Sequence, residues 1–203
     1  MIPLLLLAEA LVAFCALAFE TATARLVAPF AGMSTDSWTA IIAGFLFSWA
    51  IGNHLGGLLG AGAARRRLGL AAAGIAAGAL AVALTPALLP ALDALIVAPD
   101  PTARWRLALF CALPTLAPGL LFGLAPPLLM TAIIAAAGGR GGVVGLAIAA
   151  GAAGSAAGAI AVLWLALDQL GARGTSLAIA ALGFATALLV LGAARLTRRR
   201  VPA

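Results

Sequence analysis

Long apolar runs, separated by short polar breaks, dominate the sequence. Each run reaches about 20 residues, the length that an α-helix needs to cross the hydrocarbon core of a bilayer. The breaks are short and contain glycine, proline or arginine, as expected of tight connections between packed helices. The pattern predicts one domain, residues 1–203, with an all-α integral membrane fold and six transmembrane helices over residues 2–24, 38–61, 68–97, 107–137, 143–167 and 176–194.

Local signals support the first two helices. Ser34-Thr35-Asp36-Ser37 is a cluster of N-cap residues and predicts the start of the second helix. Ala16-Leu17-Ala18 has the form of a signal-peptide cleavage site. However, no arginine or lysine precedes the first run, and Glu9 interrupts its apolar core. The first helix is therefore predicted to stay in the membrane.

The composition places most of the chain in lipid. Of the 203 residues, 65% are hydrophobic and 9% are charged, and the mean hydropathy is +1.18. A soluble domain carries about 25% charged residues, so the 12 basic and 6 acidic side chains cannot cover a water-exposed surface. The arginines lie in short clusters between apolar runs, and the net charge of +6 therefore does not predict nucleic-acid binding. With no room for a soluble catalytic domain, the sequence predicts a non-enzymatic protein without cofactor or metal.

Arginine is unevenly distributed among the predicted connections. One side, which includes the C-terminal tail, holds Arg65, Arg66, Arg67, Arg140, Arg195, Arg198, Arg199 and Arg200. The opposite side holds Arg25, Arg104, Arg106 and Arg173. Because arginine accumulates in cytoplasmic connections, this bias predicts a multi-pass protein of a bacterial-type inner membrane with both termini in the cytoplasm.

Two carboxylates are embedded in the first run. Glu9 and Glu20 are eleven residues apart, which places them on one helix face about 16 Å apart along the axis. An ionisable residue within a membrane faces the bundle interior or a water-filled cavity, and it is a functional candidate by default. The alternative is structural: Glu20 faces the bundle interior near the outer surface and is partnered by Arg25 or by polar groups of the second helix, and Glu9 is an uncharged packing residue. A pair with Arg25 requires the helix to end or bend between Thr21 and Arg25, because five helical residues separate two side chains by about 140°.

Asn53 and His54 are the only asparagine and the only histidine, and both lie midway along the second run. Together with Glu9, Glu20 and Arg25 they predict a path for a proton or another cation between the first two helices. The alternative is that they form interhelical hydrogen bonds that hold the bundle together.

Glycines recur at close spacing in the second and fifth runs. Small residues let two helix backbones approach closely in a membrane, where no hydrophobic force brings helices together. The sequence predicts packing faces at Gly52, Gly56, Gly57, Gly151, Gly154 and Gly158.

The fourth run contains four prolines. Proline removes a backbone donor and kinks a helix, and in a membrane the freed carbonyls must lie against protein or a cavity. The run therefore predicts a hinge or a cavity at Pro114, Pro118, Pro126 and Pro127. The alternative is a kinked helix that only curves around its neighbours.

Cys15 and Cys111 both lie in apolar runs, and neither belongs to a Cys-x-x-Cys motif. Free cysteines in such surroundings usually behave as small hydrophobic residues. They are predicted not to pair, and a thiol carrier that uses both is the less favoured alternative.

Several segments resemble the membrane domain of spermidine-synthase-like transmembrane proteins. The most specific is Glu20-x4-Arg25-Leu26-Val27-Ala28-Pro29-Phe30-Ala31-Gly32, followed by Trp38-Thr39 and Gly52-Asn53-His54-Leu55-Gly56-Gly57. The likeness continues through Gly123-Leu124-Ala125-Pro126-Pro127 and Gly154-Ser155-x2-Gly158. The sequence departs from the family where Asn53 and His54 replace its usual tyrosines. It also has no Gly-rich loop or acidic nucleoside-binding segment, so aminopropyl transfer is not implied.

The sequence supports two main classes of function, and the thiol carrier is a less favoured third. The first is a transport-like or accessory membrane protein, similar to half of a major-facilitator-type bundle, which handles a cation and by resemblance a polyamine. Such a half-transporter needs a second copy or another partner to enclose a path. The second is a structural subunit of a larger membrane complex, docked through its Gly/Ala-rich faces onto helices, lipids or pigments. Membrane lipids are partners in either case.

Overall fold

The apolar runs fold into helices, since a helix satisfies its own backbone polar groups where no water is present. The computed structural model describes residues 1–198, which form seven α-helices. They are α1 (Ile2–Ala31), α2 (Thr35–Leu59), α3 (Ala64–Ile96), α4 (Arg104–Gly123), α5 (Ala125–Ala136), α6 (Gly142–Ala161) and α7 (Leu167–Arg198), with a π-helical turn at Val162–Ala166 between the last two. Arg199 and Arg200, two of the arginines behind the predicted orientation, lie outside the described residues.

Within the described residues, five helical segments are long and apolar enough to cross a membrane. They are Ile2–Ala31, Thr35–Leu59, Ala64–Ile96, Arg104–Ala136 and Gly142–Leu196. The all-α prediction is confirmed, and the protein is compatible with a multi-pass membrane protein. The fifth and sixth predicted helices fall within the last segment, which is 55 residues long.

This last segment reverses direction at Gly171. Gly171 has φ 64° and ψ 176°, which is not helical and is a left-handed conformation that glycine adopts without strain. Before the break, α6 runs parallel to α1, since Gly154 faces Ala10 and Gly158 faces Phe14. After it, Ile179 lies deep in the bundle, where its carbonyl is 3.8 Å from the Cys15 sulfur. Ala172 lies beside Arg25, near the far end of α1, so α7 runs antiparallel to α1.

The fourth predicted helix is divided into α4 and α5 at Leu124. Pro126 and Pro127 have no backbone N–H to donate to the carbonyls of Phe122 and Gly123, and they occupy the first turn of α5, where that donor is not needed. The predicted crossing over residues 107–137 therefore corresponds to one membrane-length segment, Arg104–Ala136, which is interrupted at Leu124. The second helix begins at Thr35, inside the predicted capping cluster and three residues before the predicted start, and Ser34 Oγ accepts a hydrogen bond from Ser37 N at 3.1 Å.

Two close seams join helices that are distant in the sequence. In the first, α2 runs parallel to α4, and a Cβ added at Gly52 or Gly56 would clash with the carbonyl oxygen of Leu120 or Leu124. In the second, α6 runs parallel to α1, and a Cβ at Gly154 or Gly158 would meet the carbonyl oxygen of Ala10 or Phe14. Each seam thus uses two glycines four residues apart. Gly57 was expected on the same face but has open space around it, because the neighbouring position of a helix points about 100° away from Gly56.

The main helix contacts recur when α1, α2 and α3 are exchanged, in that order, with the α4–α5 pair, α6 and α7. In this exchange the α1–α6 seam corresponds to the seam between α2 and the α4–α5 pair. The α3–α7 contact corresponds to itself, because α3 and α7 exchange with each other. The exchange also inverts direction, because α1, α3 and α6 run one way while α2, α4 and α7 run the other. An exchange of contacts with reversed helix direction is what an inverted repeat would produce.

The α3–α7 contact contains a hydrogen bond that repairs a proline kink. Pro86 lies inside α3 and leaves the carbonyl of Val82 without its helical donor. Ser176 Oγ donates to that carbonyl at 2.8 Å, although the two residues are 94 positions apart. The α7 hydroxyl therefore takes the place of the missing N–H.

We expect Ser176→Ala to lower the free energy of unfolding by about 0.6–1.7 kcal/mol, the range measured for hydrogen bonds between membrane helices. In a Pro86→Ala background the same substitution should have a smaller effect, because residue 86 then donates to Val82 itself. Unfolding by a denaturing detergent in mixed micelles measures both. Equal losses in the two backgrounds would show that the Ser176 hydroxyl does not act through the freed carbonyl.

Candidate functional site

An open groove of about 470 Å³ lies between four helices, where the two seams approach each other. Its walls come from α1, α2, α5 and α6. In the exchange described above, α1 corresponds to the α4–α5 pair and α2 corresponds to α6, so both helices of each exchanged pair contribute to the groove. The lining residues are Glu9, Ala13, Trp49, Asn53, Pro126, Pro127, Met130, Ile148, Gly151, Ala152 and Ser155.

Among the described residues that line the groove, Glu9 is the only ionisable one. It lies about 10 Å along the α1 axis from Ile2, and only 7% of its surface is exposed. Its Oε2 atom is buried without a hydrogen-bond partner among the described residues. A charged side chain at the centre of a bilayer costs about 2.5–3.5 kcal/mol in insertion experiments, and such residues are rare and mostly functional. An unpartnered carboxylate beside a groove is therefore the strongest candidate in the molecule.

The α2 wall adds a polar group and an aromatic ring. Asn53 Nδ2 donates to Trp49 O at 3.1 Å, and no partner of Asn53 Oδ1 occurs in the described part of the chain. Trp49 is one turn before Asn53 on the same helix face, and its ring stacks on Phe45 with a centroid distance of 5.8 Å. A carboxylate, an amide oxygen and an indole are groups that bind cations, the last through its negative ring face.

The remaining walls leave room for the carboxylate. A Cβ added at Gly151 would be 3.6 Å from Glu9 Oε1, so the missing side chain of Gly151 opens space directly beside the acid. Ser155 lies one turn further along α6, with its hydroxyl 3.5 Å from Ala13 O. Pro126 and Pro127 complete the opposite wall at the break between α4 and α5. Two of the four prolines predicted to mark a hinge or cavity therefore line the same groove as Glu9.

The other two prolines line a different cavity. Pro114 and Pro118 lie inside α4 and face α3 across an apolar cavity of about 260 Å³, whose walls include Leu84, Thr85 and Leu88. None of the described residues that line this cavity is charged, and the cavity shares no lining residue with the groove.

Glu20 and Arg25 do not form the expected pair. The α1 helix continues without a break through Thr21–Arg25 as far as Ala31, so the two side chains stay about 140° apart. Glu20 is 7% exposed, with its Oε2 unpartnered, whereas Arg25 is exposed and donates to Met33 Sδ at 3.8 Å. Neither residue lines the groove. The prediction that Glu20 faces the bundle interior is right, and the ion pair is a correction.

His54 is also placed differently from the expectation. It is exposed on α2 and absent from the groove lining, because it follows Asn53 by one residue and points about 100° further round the helix. The structure thus brings together Glu9 and Asn53 of the predicted path, while Glu20, Arg25 and His54 lie elsewhere.

The two cysteines are buried and free. Cys15 lies against Ile179 of α7, and Cys111 packs near Ser37 of α2, so each contacts a different part of the bundle. Among residues 1–198 no group of three or more histidine, cysteine, aspartate or glutamate side chains is arranged to hold a metal ion.

Sequence reasoning missed the apolar residues of the groove wall. In the sequence, Trp49 and Met130 are ordinary apolar residues of a membrane helix. The one available signal was spacing, because Trp49 shares a helix face with Asn53 and Met130 shares one with Pro127. Gly151 was assigned to helix packing, but it lies beside the carboxylate.

Comparison with protein-family models, with curated proteins and with solved structures finds no match to this chain. The assignment of function therefore rests on the geometry of the groove and on the arrangement of the helices.

Proposed function

We propose that the chain crosses a bacterial-type inner membrane six times, with both termini in the cytoplasm. A continuous helix of 55 residues would be about 80 Å long, whereas the hydrocarbon core is about 30 Å thick. The reversal at Gly171 supports two crossings in this segment, one by α6 and one by α7. The arginine bias supports the orientation.

Within that topology the protein is a non-enzymatic transport-like protein that binds a cation at Glu9. The observation that carries this proposal is the unpartnered Glu9 carboxylate oxygen in a groove between four helices. Asn53 and Trp49 supply the neutral groups of the site, and a proton or a polyamine ammonium is the cation that they recognise.

The inverted pattern of contacts supports a likeness to half of a major-facilitator-type bundle. Transporters of that kind bind their substrates where inverted repeats meet near the membrane midplane, and the groove lies where α1 and α2 meet their exchange partners. Because the groove is open, one copy does not enclose it, and a second copy of the chain is the partner that closes it.

The alternative of a structural subunit docked through glycine-rich faces receives less support. Gly52, Gly56, Gly154 and Gly158 are all in contact with helices of the same chain, so they offer no free surface to another protein. A thiol carrier receives less support still, since both cysteines are buried and packed against different helices.

The proposal is tested by uptake into proteoliposomes driven by an inside-negative potential, with an internal pH dye for protons and with radiolabelled spermidine in parallel. We expect the wild-type protein to take up at least one of the two cations faster than empty liposomes, and Glu9→Gln to lower that rate at least tenfold. Gln keeps the shape of the side chain and removes its charge.

Glu20→Gln is the matched control, because Glu20 is on the same helix, equally buried and outside the groove. It should retain uptake close to the wild-type rate. Absence of uptake of both cations by the wild-type protein, or equal rates for Glu9→Gln and wild type, would contradict the proposal.

A further inference from the structure

Two arginines that are distant in the sequence line one pocket at an end of the bundle. Arg25 comes from the last turns of α1, and Arg173 follows the chain reversal at Gly171. The pocket has a volume of about 230 Å³ and lies at the end that the topology assigns to the extracytoplasmic side. Neither arginine was expected to meet the other.

The rest of the pocket wall is apolar. It is formed by Leu26, Pro29, Phe30, Pro86, Leu89 and Ala172. Phe30 is held in place by Phe110 of α4, with a ring-centroid distance of 5.6 Å. Two arginine side chains therefore lie in the wall of a concave surface that is otherwise apolar.

Neither positive charge is neutralised within the described residues. The one ion pair formed there joins Arg104 to Asp36, and Arg25 makes only its long contact with Met33 Sδ. Asp168 lines an adjacent pocket together with Arg25 but is absent from this one. Two unpaired arginines close together repel each other unless an anion lies between them.

We propose that this pocket binds the headgroup phosphate of an anionic phospholipid. The two guanidinium groups hold the phosphate through charge-assisted hydrogen bonds, for which arginine has the matching donor geometry. The first part of an acyl chain lies along Leu26 and Leu89. Arginine stems near the ends of membrane helices extend toward the headgroup layer, which is the depth at which such a phosphate lies.

The apolar wall distinguishes a lipid from a free phosphate ion. An isolated ion would contact the two arginines and leave the leucine, phenylalanine and proline surfaces without a partner. A lipid uses both parts of the pocket, because its charged and apolar parts are joined in one molecule.

The test is a native mass-spectrometry titration of the full chain in detergent with phosphatidylglycerol and, separately, with phosphatidylcholine. We expect tighter binding of phosphatidylglycerol. Each arginine near an anionic lipid changes the affinity about fivefold, so Arg25→Gln/Arg173→Gln should bind phosphatidylglycerol about 30-fold more weakly.

Arg104→Gln is the matched control, because Arg104 lies at the same end, is 90% exposed and does not line the pocket. It should bind phosphatidylglycerol like the wild type. If the double variant does not fold, Arg173→Gln alone should show a fivefold loss, since this side chain is exposed.

Equal phosphatidylglycerol affinity in the wild type and the arginine variants would overturn the proposal. So would displacement of bound phosphatidylglycerol by inorganic phosphate at concentrations similar to those of the lipid, because the pocket would then select the free anion.

Discussion

Gly154→Leu is expected to prevent most of the protein from folding. The Cβ atom alone would overlap the backbone carbonyl of Ala10, and the backbone of α1 cannot move aside as a flexible side chain can. Overpacking in a close-packed interior costs about 1–3 kcal/mol, and a clash with a backbone carbonyl falls at the upper end or beyond. Gly56→Leu should act similarly on the other seam, where its Cβ would overlap the Leu124 carbonyl.

The controls come from the same helices. Gly145 on α6 and Gly57 on α2 have no atom within 4 Å of an added Cβ, so Gly145→Leu and Gly57→Leu should fold like the wild type. The measurement is the yield of monodisperse protein after detergent extraction, together with its unfolding midpoint. Normal yield and stability of both seam variants would mean that the two seams open without loss of the fold.

A reporter fused after Gln169 is expected to be active only outside the cytoplasm, whereas a reporter fused after Ala203 is active only inside. The first position precedes the reversal at Gly171, so α6 has crossed the membrane and the part of α7 that follows Gly171 has not. The change between the two fusions is all or none, because a reporter domain folds and works on one side only.

A third fusion, after Arg140, serves as the reference and should be cytoplasmic, since Arg140 lies in the connection between α5 and α6. If the fusions after Gln169 and Ala203 gave activity on the same side, α7 would not form a separate crossing. Extracytoplasmic activity of the Ala203 fusion would overturn the arginine argument for the orientation.

The sequence allowed the all-α membrane fold to be predicted because lipid imposes a single requirement on every residue of a crossing helix. Leu, Ala and Val runs of sufficient length satisfy it, and helix ends such as Ser34 carry local signals. The packing role of the glycine pairs could also be predicted from the sequence, because two glycines four residues apart lie on the same face of one helix.

The partners of these features could not be predicted. Whether Gly154 faces Ala10, or whether Ser176 reaches Val82, depends on how helices more than 90 residues apart pack. The same holds for the groove, where Glu9 was identified by its charge but Trp49 and Gly151 acquire a role only through their neighbours. The alternative in which Glu20 pairs with Arg25 is not found for a local reason: α1 continues as a helix through Thr21–Arg25 and does not bend where the pair required.

The hydrogen bond from Ser176 to Val82 also bears on the order in which the protein matures during its synthesis. A ribosome adds about 5–20 residues per second, so α3 enters the membrane several seconds before the residue that completes it, 94 positions later, has been made. α1 waits even longer for Gly154. The α2–α4 seam closes first, and the early helices remain incompletely paired until the last two arrive. Interruption of translation after α5 would therefore leave the Val82 carbonyl of α3 without its hydrogen bond from Ser176, and Glu9 without its α6 wall.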